Sequence, residues 1–456
     1  MGQRLRIHST VLTLLAGLSA CSPVEPVFLV PQPTSLAVER GALALASLDS
    51  RAEPAIVEVL EQGNLSDESY ELEVRLRTVE LTARSAAGLF YAHQTLAQLW
   101  DGQRVPRVVI HDAPKYAWRG SMIDVARHFF TVDELKAHID RMAAHKLNRL
   151  HLHLTDDQGW RIAVTDWPDL TAIGGATEVG GGEGGFYSSS DYAALVAYAA
   201  ARFVVVVPEI DLPGHVHAAL SSYPCLNADG IAPAPYTGIQ VGQSTLDPDA
   251  ACTDRFITEV VADVAAQTPG PWFHLGGDEA MQTADEDYAA MLGAAMAVAQ
   301  AQGKQPIVWD EAADLDLSEM PSPPIVQWWH GPDVARAAAE QGAQIIASPA
   351  DHAYLDMMYD AASPVGTFWA GFTTVEDSYA WDPVPDGVSP DAILGIEASL
   401  WTETVATWAE ADYLIWPRQT ALAELAWSGN QGWDHFAARL AVQEERLAAM
   451  GIVGGP

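Results

Sequence analysis

Short apolar segments alternate with helical patterns from Pro114 onward, and this alternation limits the possible folds more than any other feature. Strands that alternate with helices are typical of parallel βα units. The alternation predicts an α/β fold, a (β/α)8 TIM barrel over residues 114–456. An open doubly wound sheet is the alternative, but no glycine-rich phosphate turn follows its first strand. Eight segments have strand character: SMIDVAR (121–127), RLHLHLTD (149–156), VVVVPEID (204–211), WFHLGGDE (272–279), PIVWDE (306–311), PIVQWWH (324–330), QIIASPAD (344–351) and ILGIEASLW (393–401).

Residues 31–113 carry a different pattern. Two segments, 70–76 and 79–83, alternate apolar and polar residues as half-buried strands do. The apolar helical segment AAGLFYAHQTLAQLW follows them at 86–100. We expect a small α+β accessory domain here, and none of its side chains suggests catalysis.

The first 21 residues have the pattern of a targeting segment. A basic start with Arg4 and Arg6 precedes an apolar run at 11–18, which is much shorter than the roughly 20 residues of a membrane span. The following LSAC resembles a bacterial lipobox, in which Cys21 would be lipidated. We therefore expect a lipoprotein signal peptide at 1–21, a tether at 22–30 and an exported lipoprotein at the outer membrane, periplasm or cell surface. An ordinary signal peptide with an incidental cysteine is the alternative.

Two further cysteines, Cys225 and Cys252, flank a segment rich in proline, glycine and serine. An exported protein occupies a compartment that permits disulfides. A Cys225–Cys252 bridge is therefore the favoured expectation, and two free thiols are the alternative.

The formal net charge of −36 excludes some partners. No basic stripe exists that could release counterions from a nucleic acid backbone. The same charge would repel an anionic membrane surface, so we expect membrane contact through the lipid anchor only. A neutral substrate is compatible with this charge, although acidity can also serve solubility alone.

Carboxylates and tryptophans follow nearly every predicted barrel strand. In a barrel of this kind the active site forms at the carboxyl ends of the strands. Carboxylates can move protons and bind hydroxyls, and indole faces pack against the apolar face of a sugar ring. The candidates are Asp156, Asp157, Glu209, Asp211, Asp278, Glu279, Trp309, Asp310, Glu311, Trp328, Trp329, His330, Asp351, Trp401 and Glu403.

The segment HLGGDE (274–279) is the most informative motif, because adjacent acids after two glycines at a strand end can perturb each other's pKa. It resembles the catalytic signature of the family 20 glycoside hydrolases, the β-N-acetylhexosaminidases. WRGSMIDVARHFF, HLHLTDDQGWRI, PEIDLPGH, SPADHAYLDM, FWAGF and LWTET also resemble that family, in its usual order. The resemblance implies a retaining exo-hydrolase that removes terminal N-acetylated amino sugars from glycans without any cofactor or metal.

The resemblance also implies roles for individual residues. Glu279 would be the general acid and then the base, and Asp278 would hold the substrate acetamide, whose oxygen acts as the nucleophile. Tyr354 would donate a hydrogen bond to that oxygen. The tryptophans Trp309, Trp329 and Trp401 would enclose the acetamide and form the floor of the pocket beneath the sugar ring.

Further residues match sugar-binding and supporting positions of the family. Arg119 would bind outer sugar hydroxyls with its guanidinium fork. Asp356, Glu403 and Trp369 would add contacts to the sugar, and Asp156 and His215 would support the acid. Strand alternation places only one of Trp328 and Trp329 inward, and the resemblance alone selects Trp329.

Two other functional classes remain open from the sequence. The pairs His151 with His153 and His215 with His217 could bind a metal, as in a metal-dependent amidohydrolase barrel. Buried core histidines with satisfied nitrogens are the simpler explanation for His151 and His153. A glycan-binding lipoprotein without activity would be expected to lack one of the two acids, and both are present. The oligomeric state and the natural glycan are not readable from these residues.

Overall fold

The computed structural model describes residues 26–60, 66–317 and 322–456. The small domain comes first and consists of one sheet and one helix, α1 (Ala86–Leu99), which packs on the sheet. The sheet order is β1-β5-β3-β4-β2, and only the β2–β4 pair is parallel. This confirms the predicted α+β domain. Its strands are β1 (Ser35–Ala44), β2 (Ile56–Leu60), β3 (Tyr70–Val74), β4 (Val79–Ala83) and β5 (Arg104–Asp112).

The second unit is a closed barrel of eight parallel strands, as predicted. The barrel closes where the first strand, β6, pairs with the last, β15. A two-stranded ribbon, β8 (Thr155–Asp156) with β9 (Gly159–Trp160), lies in the loop after β7. The barrel strands are β6 (Trp118–Asp124), β7 (Arg149–His153), β10 (Val205–Glu209), β11 (Trp272–His274), β12 (Gln305–Trp309), β13 (Ile325–Trp328), β14 (Ile345–Ala347) and β15 (Ile393–Leu400).

Helices surround the barrel, and the apolar contacts between helices and strands form the largest core of the molecule. The chain after β12 forms a short 3-10 turn, Asp310–Asp314, instead of beginning a helix. The helices are α2 (Val132–Ala144), α3 (Asp169–Ala172), α4 (Ser189–Ala200), α5 (His217–Ser222), α6 (Thr253–Gln267), α7 (Asp285–Ala301), α8 (Pro332–Glu340), α9 (Ala350–Ala353), α10 (Val375–Tyr379), α11 (Trp408–Ile415), α12 (Arg418–Ser428) and α13 (Trp433–Ala449).

The first barrel strand lies three residues earlier than the sequence pattern predicted, at 118–124 instead of 121–127. Asp124 ends it, because the Asp124 carboxylate accepts hydrogen bonds from the backbone N–H groups of Ala126 and Arg127 at 2.8 and 3.0 Å. Those donors therefore leave the strand ladder. As a result Arg119 lies near the amino end of the strand, and Arg127 lies beyond its carboxyl end.

Ion pairs with buried cations join the small domain to the barrel. Both guanidinium nitrogens of Arg119 donate to the carboxylate of Glu68, at 3.0 and 2.8 Å. The Lys146 ammonium donates to Asp112 at 2.8 Å and lies 4.5 Å from the centre of the Trp427 ring. The two domains are thus held together by charge pairs whose cations, Arg119 and Lys146, are shielded from solvent.

The end of the predicted tether at 22–30 packs against the folded body, and residues 22–25 lie outside the described residues. Leu29 and Val30 are buried in apolar clusters. The Val30 backbone exchanges two hydrogen bonds with the Gln98 amide, and Arg439 donates to the Leu29 carbonyl oxygen at 2.7 Å. The chain is therefore anchored to the folded body from about residue 28. The predicted signal peptide and Cys21 lie outside the described residues.

The described part of the chain contains no helix that is both long and apolar enough to cross a bilayer. It does contain the expected disulfide, between Cys225 and Cys252, whose Cα atoms are 5.5 Å apart. The bridge ties the segment after α5 to the start of α6. It closes a long loop that reaches the mouth of the barrel.

Candidate active site

A pocket of about 420 Å³ opens at the carboxyl ends of the barrel strands. Acidic and aromatic side chains dominate its lining, together with one arginine. This is the environment expected for a sugar ligand, which offers hydroxyls to the acids and C–H groups to the rings. The lining residues are Arg127, Ile239, Val241, Asp278, Glu279, Trp329, His330, Tyr354, Asp356, Thr367, Trp369, Trp401, Glu403 and Thr404.

The loop after β11 places the two adjacent acids in the pocket. Gly276 and Gly277 precede them with φ angles of +65° and +97°, which favour glycine. A Cβ atom at Gly276 would collide with the Asp211 carboxylate, which accepts a hydrogen bond from the Gly277 N–H at 3.0 Å. Gly276 therefore makes room for the neighbouring acid Asp211.

His215 contacts both acids from below. Its Nε2 lies 3.5 Å from Glu279 and 3.7 Å from Asp278, and its Nδ1 lies 3.2 Å from Asp156. Burial alone would lower the pKa of His215, but the Asp156 and Asp278 carboxylates outweigh it and raise that pKa well above its usual value. The favoured state is an imidazolium held between carboxylates.

Asp278 is almost completely buried. Burial raises the pKa of Asp278, and Glu209 and Glu279 raise it further, while His215 opposes them. Its Oδ1 atom is buried without a hydrogen-bond partner among the described residues. An incompletely compensated carboxylate of this kind would be stabilised by a ligand that offers an N–H group or a positive charge.

Aromatic rings form the walls and floor of the pocket. Trp329 and Tyr354 lie nearly parallel with ring centres 6.0 Å apart, and Trp369, which is 59% exposed, stands edge-on to both at the rim. Trp401 forms the floor, and the fully buried Trp309 lies behind it at 5.7 Å.

The choice between the neighbouring tryptophans is resolved by the structure. Trp329 faces the pocket, whereas Trp328 packs in the apolar core outside the barrel. This follows from the alternation of side chains at the end of β13.

The assignment of Arg119 to the sugar hydroxyls is wrong. Arg119 is fully buried against the small domain and does not line the pocket. Arg127 lines it instead and forms ion pairs with Asp156 at 2.7 Å and Glu403 at 3.7 Å. The sequence contains a signal that distinguishes the two arginines. Arg127 follows the carboxyl end of β6, where the active site of a barrel forms, and Arg119 lies near the amino end.

Asp356 and Glu403 lie on the same side of the pocket as Arg127. Burial, supported by the charge of Glu403, raises the pKa of Asp356 to about 8. Burial also raises the pKa of Glu403, although Arg127 opposes this. Thr367, which the sequence did not suggest, donates to Asp356 at 3.1 Å. The second oxygen of Asp356 has no partner among the described residues and is available to a ligand hydroxyl.

Ile239 and Val241 also line the pocket and were not predicted. They lie in the loop that the disulfide closes, between α5 and α6. Nothing in a glycine- and proline-rich loop sequence indicates which apolar residue will reach a distant pocket, so this wall could not be found from periodicity.

The histidines that suggested a metal are hydrogen-bonded or ion-paired within the protein. The nitrogens of His151 lie 2.8 Å from Glu397 and 3.0 Å from Glu209. Those of His153 lie 2.5 Å from Glu209 and 3.0 Å from Asp156. His217 points to a backbone carbonyl. The buried-core interpretation of His151 and His153 is therefore favoured.

Known sequences carry the same two domains. Residues 116–430 match the family described as glycosyl hydrolase family 20, catalytic domain, and residues 34–113 match its domain 2. A β-N-acetylhexosaminidase of Cellulomonas fimi is 46% identical over 390 residues, which are 82% of this chain and 77% of that protein. A β-hexosaminidase of Porphyromonas gingivalis is 34% identical over 85% of this chain and 54% of its own length.

Solved structures are similar over almost the whole chain. The GH20 β-N-acetylhexosaminidase from Streptomyces coelicolor A3(2) superposes with a TM-score of 0.89 at 39% identity, covering 95% of this chain and 98% of that one. A mutant Streptomyces plicatus β-hexosaminidase in complex with its product GlcNAc gives 0.88 at 39% identity, covering 95% and 97%. Because the family match spans the barrel and the small domain as well, this chain belongs to glycoside hydrolase family 20.

Proposed function

We propose that this protein is a retaining exo-β-N-acetylhexosaminidase that removes terminal N-acetyl-β-D-glucosamine or N-acetyl-β-D-galactosamine from glycans. The observation that carries the proposal is the placement of Asp278, Glu279 and Tyr354 around one pocket walled by tryptophans. The family is retaining and uses substrate-assisted catalysis, and a relative that is 46% identical carries the name β-N-acetylhexosaminidase. The neutral sugar also suits a chain with a net charge of −36.

In the first step Glu279 donates a proton to the glycosidic oxygen as the bond to the anomeric carbon breaks. The oxygen of the substrate's own acetamide attacks that carbon and forms an oxazolinium ion. Asp278 accepts a hydrogen bond from the acetamide N–H and stabilises the positive charge that develops. Tyr354 donates a hydrogen bond to the acetamide oxygen. Asp278 is buried and incompletely compensated, so this interaction strengthens as charge appears.

In the second step Glu279, now a carboxylate, removes a proton from water as the water attacks the anomeric carbon and opens the oxazolinium ring. His215, held between Asp156 and the two acids, keeps the Glu279 carboxylate in place through both proton transfers. Arg127, Asp356 and Glu403 bind the hydroxyls on the far side of the sugar ring, which fixes its orientation during the reaction.

Two substitutions test the roles of the acids. Glu279→Gln cannot donate a proton, and we expect a loss of about 10²–10⁴-fold in kcat on alkyl glycosides, with a smaller loss on aryl glycosides. Asp278→Asn keeps the shape but removes the charge, so its loss should fall mainly on kcat. Hydrolysis of chromogenic and alkyl N-acetyl-β-glucosaminides measures both, and near-wild-type turnover of an alkyl glycoside by Glu279→Gln contradicts the assignment.

The substrate itself tests the nucleophile. A β-glucoside with a plain 2-hydroxyl lacks the acetamide, so the wild type should cleave it very poorly. A stable analogue of the oxazoline ring should inhibit strongly. Efficient β-glucoside cleavage, together with a covalent 2-fluoro sugar adduct on a carboxylate in the mass spectrum, would point to a protein nucleophile instead.

We also propose that the mature protein begins at a lipidated Cys21 and is exported. The lipobox-like LSAC and the short apolar run before it support this. Cys21→Ala should leave the protein unprocessed or release it from membranes. An intact mass of the native protein without acyl chains would contradict the proposal.

A further inference from the structure

Glu311 lies directly behind the two catalytic acids, in the 3-10 turn that follows β12. Its Oε1 atom accepts a hydrogen bond from the backbone N–H of Glu279 at 3.3 Å, and its Oε2 atom accepts one from the indole N–H of Trp329 at 3.2 Å. Glu279 follows β11, and Trp329 follows β13. One carboxyl group therefore connects the ends of three consecutive barrel strands.

Glu279 needs such a restraint because of its backbone conformation. Its φ angle is +45°, a left-handed value that is unfavourable for a residue with a Cβ atom. Conformations of this kind persist only where the surroundings enforce them. The backbone angle also sets the direction in which the Glu279 side chain leaves the loop. An acceptor on its N–H therefore helps to fix the direction of the proton-donating carboxyl.

The second partner, Trp329, has its backbone held by a different residue. Asp310 accepts hydrogen bonds from the N–H groups of Trp329 and His330 at 3.0 and 2.9 Å, and from the His330 ring at 2.7 Å. Glu311 adds a bond to the indole, which fixes the ring that walls the pocket. The two neighbouring acids thus have separate functions, since Asp310 holds the main chain and Glu311 holds the ring and the catalytic loop.

The surroundings of Glu311 suit this arrangement. Burial raises the pKa of Glu311 well above its usual value, and the charges of Asp278 and Asp310 raise it further. A protonated carboxyl still offers lone pairs on both oxygens to N–H donors. It can therefore restrain Glu279 and Trp329 without placing another full negative charge beside Asp278.

We propose that Glu311 is a positioning residue of the reaction, which aligns the proton donor Glu279 with the sugar that Trp329 holds. The proposal rests on the proposed function and deepens it. One carboxyl group fixes the distance between Glu279 and the Trp329 ring, and this keeps the proton of Glu279 within reach of the glycosidic oxygen.

The test is Glu311→Gln. The amide has one acceptor oxygen, so either the Glu279 N–H or the Trp329 N–H must face an NH2 group. We expect kcat on an alkyl N-acetyl-β-glucosaminide to fall by up to about 100-fold, as for other small displacements of reacting groups. The loss should be much smaller on an aryl glycoside with a good leaving group, which needs little proton donation. Asp314→Asn, an exposed carboxylate in the same turn, is the matched control and should leave both rates unchanged.

A double-mutant cycle separates positioning from a general loss of structure. In the Glu279→Gln background the proton donor is already gone, so adding Glu311→Gln should cost little more on the alkyl substrate. Equal losses on both leaving groups, or a full additional loss in the Glu279→Gln background, would overturn the proposal. Absence of activity in the wild type would instead refute the proposed function.

Discussion

Two arginines on one segment have different surroundings, and they are predicted to respond differently to the same change. Arg127→Lys should lower kcat/KM by roughly ten- to hundredfold, because lysine cannot reproduce a guanidinium fork toward hydroxyls and carboxylates. Arg119→Lys should leave KM nearly unchanged and lower the melting temperature, since Arg119 contacts Glu68 and not the pocket. Kinetics and thermal melts of the two variants distinguish these effects. A rise in KM for Arg119→Lys, with no change for Arg127→Lys, would contradict the placement of Arg127 in the pocket and of Arg119 outside it.

The raised pKa of Asp356 predicts that the free energy of unfolding depends on pH. Its pKa in the folded protein is about 8, above the value of about 4 expected in the unfolded chain. The folded state therefore binds the extra proton, and the stability it contributes is complete below about pH 4 and lost as the pH rises through about 8. Asp356→Asn is neutral throughout, so its melting temperature relative to the wild type should increase between about pH 5 and pH 8.5.

Melting curves of both proteins over this range provide the measurement. Asp351→Asn, which changes a carboxylate that is 63% exposed in the same segment, is the control. Its difference from the wild type should change much less with pH. A pH-independent difference for Asp356→Asn would show that the Asp356 carboxyl is not desolvated as the structure indicates.

The sequence motifs identify most of the residues of the site, but they do not predict how these residues are arranged in space. Asp278, Glu279, Tyr354 and Trp401 are at the pocket because strand ends converge in a barrel and the motifs identify which ends matter. Arg119 was misassigned because the motif contains two arginines and the strand boundary was shifted by three residues. The wall formed by the loop between α5 and α6 was missed, since loop contacts depend on tertiary packing that no local pattern encodes.

At the level of elements, the buried strands were the easiest to predict. Strands of a parallel barrel are covered on both sides and form continuous apolar runs. In the small domain the sequence pattern predicts only the inner strands β3 and β4. The strand β1 lies at one edge with most of its residues exposed, and β2 lies at the other edge. β5 contains Pro106, which weakens its strand pattern.

The disulfide-closed loop carries the next prediction. Replacing Cys225 and Cys252 together by serine should lower the free energy of unfolding by roughly 2–4 kcal/mol, because the bridge restricts the unfolded chain. The same change should raise KM, since Ile239 and Val241 reach the pocket from this loop. Denaturant unfolding and kinetics measure the two effects. Reductant should reproduce them in the wild type and have no effect on the variant, and an unchanged KM would separate the loop from substrate binding.

On the scale of the whole molecule, the buried pair of Asp112 and Lys146 predicts strong coupling between the domains. Asp112→Asn would leave the Lys146 ammonium buried without a counter-charge, and should lower the free energy of unfolding by about 3–5 kcal/mol. Glu73→Gln, which removes a solvent-exposed partner of Arg75, is the control and should cost at most about 1 kcal/mol. Unfolding curves measure both changes, and similar small losses for the two variants would contradict the prediction.

The charged seam between the domains limits how proteins of this kind can be recombined. A small domain taken from a relative would replace Glu68 and Asp112, while the barrel would keep Arg119 and Lys146. Unless both carboxylates arrived with it, two cations would remain buried without counter-charges, each at a penalty of several kcal/mol. The unit that can be transplanted or fused to another protein is therefore the pair of domains. The barrel alone would lack the carboxylates that neutralise its buried cations.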